Sequence, residues 1–448
     1  MTQGVAVKRR GPGYRLEDLS QILGVAAPVV PRQSAPAIWA GHRLHNEATA
    51  WLEHRQAVLR NDRSVGTNAE RLVGWLRFLT TRNQTVHTAT EADYRAYEAR
   101  CRFPSPDDHP ELTGVSSAWW RTTKSVIKQF HEWMAATYGA PLPFTIVDKR
   151  GRDGVLMRGI PDAGRLLQAR PEALPLMPDA VDSILAAAAR PTPSGQERGQ
   201  RRRDVGLIQW LVGTGMRITP ALHLTTFEVP PRSGGDFDWL HTPAAINKYG
   251  RAVRSAAFAA RLEPARVYMA GDRRVTAQHG RHHDPRDPLR VVEADARTVT
   301  WSADGGLQVR RQWNDVDVGH RRRLVNADGS SPLLWLTQTG SPMSTRQAQH
   351  VVKDAVKHAS ATDSTVPRDA HPHSLRHTYA TFMVVMWLRR DEALYPSGQH
   401  RIQFGLVDAV RHVQRELGHT DERTTHLYTG HVPELLGLDP DRIKGGRR

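Results

Sequence analysis

The sequence predicts a multidomain, mainly α-helical protein whose C-terminal part belongs to the α+β class. Its 448 residues are enough for two to four domains at the usual ~100–200 residues per domain. Four segments with helical spacing of apolar residues follow one another over residues 46–138. Further along the chain, short strand-like runs alternate with helical segments, which indicates a second, mixed domain.

The first 140 residues are predicted to form an arm and a small helical domain. Residues 1–35 are rich in Pro, Gly, Val and basic residues without a sustained period, which predicts a mostly extended arm. The helical domain is expected over 36–140, with helices at 47–60, 67–81, 88–100 and 116–138. Residues 141–175 carry Pro, Gly and charge, which is typical of a linker.

The fourth predicted helix has an apolar face and a more polar one. Trp119, Trp120 and Trp133 recur at helical spacing, so we expect them in the core rather than as platforms for nucleic-acid bases. Lys124 and Lys128 fall on the more polar side, where they are candidates for contact with phosphate groups.

The second domain is predicted over 176–435. Pro178 suits a helix start, and 204–217 should form a buried helix. The intervening stretch 191–203 reads as a loop, whose Arg201, Arg202 and Arg203 are further candidates for phosphate contact, although charge runs are usually solvated. Short strands should meet at a turn at Tyr249–Gly250, and Ser344 with Gln347 has the spacing of a capping box. Two longer stretches, at about 262–330 and about 384–405, are interpreted as insertions. The end of the chain, 436–448, is interpreted as a basic tail.

Composition narrows the class of function. The formal net charge is +16, which suits a polyanionic partner such as nucleic acid. Cys101 is the single cysteine, which excludes an internal disulfide and any zinc site that needs two thiolates. No apolar run approaches the length of a membrane span, and the N-terminus has no apolar segment of the secretory kind. We therefore expect a cytoplasmic protein without membrane partners.

Four short elements carry the chemistry, and each is weak evidence alone. They are GTGMRITPALHL (213–224), AINKYGRAVR (245–254), HSLRHTYAT (373–381) and ELGHTDERTTHLYTG (416–430). A single arginine is usually a solvated charge, and a single histidine or tyrosine is usually a packing residue. The order and combination of the four elements are what make them specific.

Together these elements resemble the tyrosine recombinases, or phage integrase family, over about residues 35–435. The first matches the family's TG-x-R sequence at Thr214–Arg217, and the second offers Lys248 as its β-hairpin lysine. His373 and Arg376 match the H-x-x-R box. Leu417, Gly418 and His419 match the L-G-H box, and Tyr428 stands nine residues after its histidine, where the family has its nucleophile.

The resemblance implies a fold and a reaction. The fold would be a helical SAM-like core-binding domain followed by a catalytic domain with helices around a small antiparallel sheet. The reaction would be site-specific cutting and rejoining of DNA through a 3′-phosphotyrosyl intermediate, without metal or ATP. Double-stranded DNA is the implied partner, bound by a homotetramer on two sites, with an accessory DNA-binding protein as a further candidate. The setting would be a mobile element, phage or chromosome-maintenance system of a bacterium, with the protein at the nucleoid.

The residue types suit this chemistry independently of the resemblance. Two guanidiniums, from Arg217 and Arg376, can clamp the charged phosphate oxygens. A tyrosine needs cationic neighbours to favour its anion, and a lysine beside the scissile phosphate can protonate the leaving oxygen. Histidines such as His373 and His419 can donate to phosphate or move a proton. No cofactor and no metal are expected, since arginines supply the electrostatic stabilisation.

Some features leave alternatives open. Pro220 stands where the family usually has an acidic residue, three positions after the first arginine. His279, His282 and His283 could suggest zinc, but a solvated or DNA-facing loop is the favoured interpretation. A strand-swivelling topoisomerase with similar residues remains an alternative function. A DNA-binding protein without catalysis is another, although such a protein need not keep Arg217, His373, Arg376, His419 and Tyr428 together.

Overall fold

The computed structural model divides the chain into two compact units, Met1–Arg170 and Pro171–Arg448. The described units consist mainly of helices with small sheets, which confirms the predicted multidomain, mainly helical fold class. The structure describes residues 5–8, 36–40, 43–59, 62–102, 115–150, 156–161, 175–191, 198–248, 250–279, 283–302, 306–394, 405–418, 432–438 and 443–444.

Unit 1 is built on four helices, α1 (Asn46–Leu59), α2 (Asp62–Thr81), α3 (Glu91–Arg102) and α4 (Ser117–Tyr138). A small antiparallel sheet has the order β1 (Val5–Lys8), β2 (Ala37–Ala40) and β3 (Arg43–Leu44), so part of the predicted arm is a strand. Helix α2 begins five residues before the predicted start because Val65 extends its buried face. Trp120 is fully buried, whereas Trp119 and Trp133 are partly buried against the same core.

The first part of the predicted linker is folded instead. A hairpin of β4 (Val147–Arg150) and β5 (Leu156–Gly159) occupies it. Phe144 and Ile160 flank the hairpin and are buried in the core of unit 1. The prediction of a linker over all of 141–175 is therefore wrong for this part, because two buried side chains outweigh the loop-like composition between them.

Unit 2 contains ten described helices and six described strands. The helices are α5 (Pro178–Ala189), α6 (Arg198–Thr214), α7 (Ile218–His223), α8 (Ala259–Ala270), α9 (Asp272–His279), α10 (Val318–Arg323), α11 (Thr345–Thr362), α12 (Pro372–Leu394), α13 (Leu406–Leu417) and α14 (Val432–Leu436). Strands β6 (Phe237–Thr242) and β7 (Val253–Phe258) form a hairpin. A second sheet has the order β10 (Gln308–Gln312), β9 (Thr298–Ser302), β8 (Leu289–Ala294) and β11 (Leu324–Val325).

Local signals place several helix ends as predicted. Helix α5 begins at Pro178. At α11, the Ser344 hydroxyl accepts from the Gln347 backbone N–H and the Gln347 side chain accepts from the Ser344 N–H, which confirms the capping box. The predicted loop at 191–203 is wrong for its last residues, because α6 begins at Arg198. The basic run therefore forms the first turns of a helix whose later part is buried.

The main core of unit 2 includes side chains from a segment that was predicted to be an insertion. Leu262, Ala265 and Tyr268 of α8 are buried against α6. The interpretation of 262–330 as a tolerated surface insertion is therefore wrong for α8. The second suggested insertion, 384–405, begins inside α12, which continues to Leu394 with Val384 and Val385 buried.

The predicted basic tail, 436–448, contains a buried anchor. Ile443 is fully buried, and its carbonyl accepts from Nε and Nη2 of Arg261 at 3.2 and 3.0 Å. Arg261 is itself buried and needs acceptors there, so the interpretation of 436–448 as a frayed tail is wrong at this position. Among the described residues, the helices lack the combination of length and apolarity that crossing a bilayer requires.

Candidate active site

A small pocket in unit 2 collects residues from all four sequence elements. The end of α6, the β6–β7 hairpin, α12 and the end of α13 all line it. Arg217 and Arg376 both lie on its wall, although 158 residues of chain separate them. Two guanidiniums that converge on one concave surface form a site for an anion with several oxygens, such as a phosphodiester.

Arg217 follows a tight turn at the end of α6. Gly215 adopts φ +61°, and a Cβ at this position would lie 2.2 Å from Cδ1 of the Tyr379 ring. Only glycine satisfies both conditions. The turn places Arg217 at the N-cap of α7 with extended backbone, so its half-buried side chain leaves the helix end toward the pocket.

Arg376 ties two distant elements together. It lies on the first turns of α12, where only 3% of it is exposed. Its Nη1 donates to the Gly215 carbonyl at 2.5 Å and its Nη2 donates to the Leu417 carbonyl at 2.8 Å. These bonds account for two of the five donor hydrogens of a guanidinium. The TG-x-R turn and the start of the L-G-H box are thus held against the same side chain.

His373 lies one helical turn before Arg376, with its ring 4.4 Å from the ring of His377. Desolvation, together with the neighbouring His377 and Arg376, lowers the pKa of His373 to about 4. Burial and Arg376 likewise lower the pKa of His377 to about 4. Both rings are therefore neutral at neutral pH in the DNA-free protein, and each can donate one N–H or accept a proton.

Lys248 lies on the loop of the β6–β7 hairpin and is exposed. Its backbone N–H donates a hydrogen bond to Oδ1 of Asn247, which lines the pocket. The structure therefore brings Lys248 to the rim of the pocket rather than onto its wall.

A buried carboxyl at the same pocket was missed by the sequence analysis. Glu416 precedes the L-G-H box, and Pro220, which replaces the family's usual acid, lies on the same wall. Burial raises the pKa of Glu416 to about 7, against the opposing effects of the Ala256 backbone and the Tyr379 hydroxyl. Its Oε1 lies 3.4 Å from Nε2 of His412. The signal was available, because Glu416 continues the buried face that α13 presents through Ala409 and Val413.

Tyr379 is not a candidate nucleophile, although it lies close to the pocket. It is fully buried, and its hydroxyl donates to the Ala256 carbonyl at 2.5 Å. Burial also raises the pKa of Tyr379, so its phenolate is disfavoured.

His419 and Tyr428, the remaining predicted site residues, lie outside the described residues, as do His282 and the side chain of His279. The residue before His419 is described. Gly418 ends α13 with φ +63°, and its backbone N–H bonds to Arg415 and Gln414 carbonyls. His419 therefore directly follows a helix end that Arg376 holds through Leu417.

The predicted DNA-contact residues differ in their surroundings. Lys124 donates to the Ile160 carbonyl at 3.3 Å, and Lys128 pairs with Glu132 at 3.4 Å. Arg202 pairs with Asp272 at 3.2 Å. These three keep some exposure and remain predictions, as does the half-buried Arg201.

Arg203 has a structural environment instead. It is buried, pairs with Asp204 at 2.7 Å and donates to the Leu336 carbonyl at 3.0 Å. The prediction that it contacts phosphate is therefore wrong, because the apolar face of α6 turns it inward.

His283, one of the three histidines considered for zinc, bonds through Nε2 to the Arg322 carbonyl at 2.8 Å. Within the described part of the chain, His, Cys, Asp and Glu side chains do not gather into a metal-binding group.

The raised pKa of Glu416 predicts a pH-dependent stability. The pKa of its carboxyl is near 4.5 in the unfolded chain and near 7 in the folded protein. The protonated carboxyl therefore contributes its full share to the free energy of unfolding below pH 4.5, and this contribution is lost as the pH rises to 7. This loss amounts to about 3 kcal/mol. We expect Glu416→Gln to raise the Tm relative to wild type at pH 8 and to change it little at pH 5. The exposed Glu434→Gln is the matched control, and a wild-type–variant difference in Tm that is the same at both pH values would contradict the prediction.

Comparison with known proteins adds to this geometry. Residues 296–387 match the model of the phage integrase family. Tyrosine recombinase XerC of Bacillus subtilis is 30% identical over 121 residues, 27% of this chain and 32% of that protein. Tyrosine recombinase XerD of Corynebacterium glutamicum is 33% identical over 109 residues, 24% of this chain and 28% of that protein. The chain thus covers about a third of these relatives.

A solved structure aligns over a longer part of the chain. It is the site-specific recombinase XerH bound to a palindromic difH substrate, in a post-cleavage complex. The alignment has a TM-score of 0.47 and 12% identity, and covers 87% of this chain and 82% of that one.

Proposed function

We propose that this chain, whose residues 296–387 match the model of the phage integrase family, is a tyrosine-type site-specific recombinase or integrase that cuts and rejoins DNA. One observation supports this most strongly. Arg217 and Arg376 line one pocket, and Arg376 bonds to both the TG-x-R turn and the residue before Gly418. Elements far apart in sequence therefore converge where a scissile phosphate would bind.

The proposed reaction is a phosphoryl transfer to protein. The Tyr428 hydroxyl attacks phosphorus, a phosphorus–oxygen bond to tyrosine forms, and the bond to the 5′ oxygen breaks. The product is a 3′-phosphotyrosyl link, which the 5′ hydroxyl of another strand can attack in reverse. The phosphodiester energy is conserved, so the cycle needs no ATP. Arg217 and Arg376 stabilise charge on the non-bridging oxygens.

Proton transfers fall to the remaining site residues. Lys248 at the pocket rim protonates the leaving 5′ oxygen, and His419 accepts the proton that the Tyr428 hydroxyl loses on attack. His373 is neutral before DNA binds, because its pKa lies near 4. A bound phosphate anion favours its protonated form, so His373 then donates to a phosphate oxygen.

The proposed partners follow from the same reaction. Double-stranded DNA is the substrate, and four protomers assemble on two DNA sites so that both duplexes exchange strands. An accessory DNA-binding protein is a further candidate partner. We place the protein in a bacterial cytoplasm, associated with the nucleoid.

The role of Lys248 can be tested with a modified leaving group. Lys248→Ala should slow cleavage of ordinary DNA by about 10²- to 10⁴-fold, since a general acid is lost. Replacing the bridging 5′ oxygen by sulfur should restore most of the rate, because a thiolate leaves with little need for protonation. Single-turnover cleavage of both substrates measures this. Arg217→Ala is the control that sulfur should not rescue, and an equal defect of Lys248→Ala on both substrates removes Lys248 from the general-acid role.

A further inference from the structure

The sheet β8–β11 forms a small subdomain fixed beside the pocket. Its own core includes Trp301 and Trp313. Arg321, fully buried, donates to the His223 carbonyl at 2.8 Å and to Glu228 at 2.6 Å, which joins the subdomain to the end of α7. These bonds fix the position of the sheet relative to the helix that follows Arg217.

The same subdomain also contacts the loop that carries Lys248. Oδ1 of Asn314 accepts from the Ala244 backbone N–H at 2.8 Å, and Ala244 begins the short 3₁₀ turn Ala244–Ile246 before Lys248. The subdomain therefore adjoins the turn that leads into the Lys248 loop.

One face of strands β8, β9 and β10 is polar, and we call it the outer sheet face. Val299 and Trp301 on β9 point into the small core, so the alternate residues of β9 point away from it. The outward residues of β9 and their partners on β10 carry hydroxyls, amides and one guanidinium: Thr298, Thr300, Ser302, Gln308, Arg310 and Gln312.

Strand β8 adds one cation and one anion to this face. Arg290 pairs with Ser302 in the sheet register, and Glu293 pairs with Thr300. Both side chains are exposed. Counting the described residues, the outer sheet face thus has two arginines, a row of neutral hydrogen-bonding groups and a single carboxylate.

In the described part of the chain, the arginines around this face lack ion pairs, unlike the buried Arg321 and Arg266. Arg321 and Arg266 form ion pairs of 2.6 and 2.7 Å with Glu228 and Asp238. Among the described residues, a carboxylate within ion-pair distance is missing for Arg290, Arg297, Arg310 and Arg311, all of them exposed.

Asp295 lies between β8 and β9, and its carboxylate is bonded to backbone groups. It accepts backbone N–H bonds from Arg297 and Thr298, both at 2.6 Å, and Arg310 lowers its pKa further without an ion pair. The positive charge of the arginines around the outer sheet face is therefore available to a phosphate backbone.

We propose that the outer sheet face binds the phosphate backbone of double-stranded DNA that flanks the cleavage site. Charge complementarity, hydroxyl and amide donors and the continuity with the Lys248 loop all favour a duplex over a protein partner, which would need an apolar centre. The inference rests on the proposed function, since it takes the pocket to be where the same duplex is cut.

Charge-neutralising variants test this surface. Arg290→Gln with Arg310→Gln should weaken binding of a long random-sequence duplex about tenfold or more at 0.1 M salt. The slope of log K against log salt should fall by about 0.9 for each lost phosphate contact. Glu293→Gln should strengthen binding a few-fold, which a merely structural role would not produce. Arg190→Gln with Arg274→Gln removes the same charge from exposed sites elsewhere in unit 2 and should change binding little.

Footprinting separates contact from a general charge effect. Hydroxyl-radical protection by the wild type should extend beyond the cleaved region, and the Arg290/Arg310 variant should lose only that outer protection. Wild-type affinity and an unchanged footprint in this variant would overturn the inference, as would a change of oligomeric state without a change in DNA binding. If instead the variant loses outer protection while the wild-type protein forms no covalent adduct, the surface stands and the recombinase proposal fails.

Discussion

Arg376→Lys should reduce the single-turnover rate of DNA cleavage by about 10³-fold or more. Losing one preorganised donor to a developing negative charge costs about 10²–10³ in rate. Lysine keeps the charge but has no fork, so it cannot bond the Gly215 and Leu417 carbonyls at once. Two elements of the pocket then lose their common anchor, and the phosphate loses a bidentate donor.

A second arginine on the same helix separates chemistry from stability. Arg389 of α12 also donates to backbone carbonyls, those of Leu436 and Leu438, but it does not line the pocket. Arg376→Lys and Arg389→Lys should each lower the Tm by a few degrees. Only Arg389→Lys should leave the cleavage rate within a few-fold of wild type. Equal losses of rate in the two variants would show that Arg376 acts only through the fold.

The sequence predicts most helices because their signals are local. Pro178 and the pair Ser344 and Gln347 act within one helical turn, so they can be recognised without the rest of the chain. The sheet β8–β11 could not be recognised, because its strands are five or six residues long, or two in β11, and its core is small. Arg203 was misjudged because a run of arginines does not reveal that one of them faces the interior.

In the candidate site, too, sequence motifs could be recognised but tertiary contacts could not. Motif order indicated Arg217, His373 and Arg376. In the structure Arg217 and Arg376 line one pocket, and His373 lies close enough to both for their charges to lower its pKa. The bonds from Arg376 to two carbonyls could not be predicted, since backbone acceptors leave no mark on the sequence. Glu416 could have been found from helical spacing, but its contact with Tyr379 depends on how α13 packs on β7.

The largest expected effect is that of Tyr428→Phe, which should abolish covalent attachment to DNA completely. Phenylalanine has no nucleophilic oxygen, and Tyr379 is buried with its hydroxyl bonded to a carbonyl, so it cannot substitute. Binding to DNA should persist, because the arginines and other cations that we propose to hold phosphate are unchanged. Tyr379→Phe is the matched control: it should keep cleavage activity, with some loss of stability from the missing hydrogen bond.

The central claim is tested most directly by trapping the intermediate. The purified protein is incubated, without metal or ATP, with nicked duplexes drawn from the DNA that flanks its own gene, and a denaturing gel reports covalent protein–DNA adducts. The account predicts an adduct joined through a 3′ phosphate to Tyr428, present in wild type and Tyr379→Phe and absent in Tyr428→Phe. An adduct that survives Tyr428→Phe, or DNA binding without any adduct in the wild type, would contradict it.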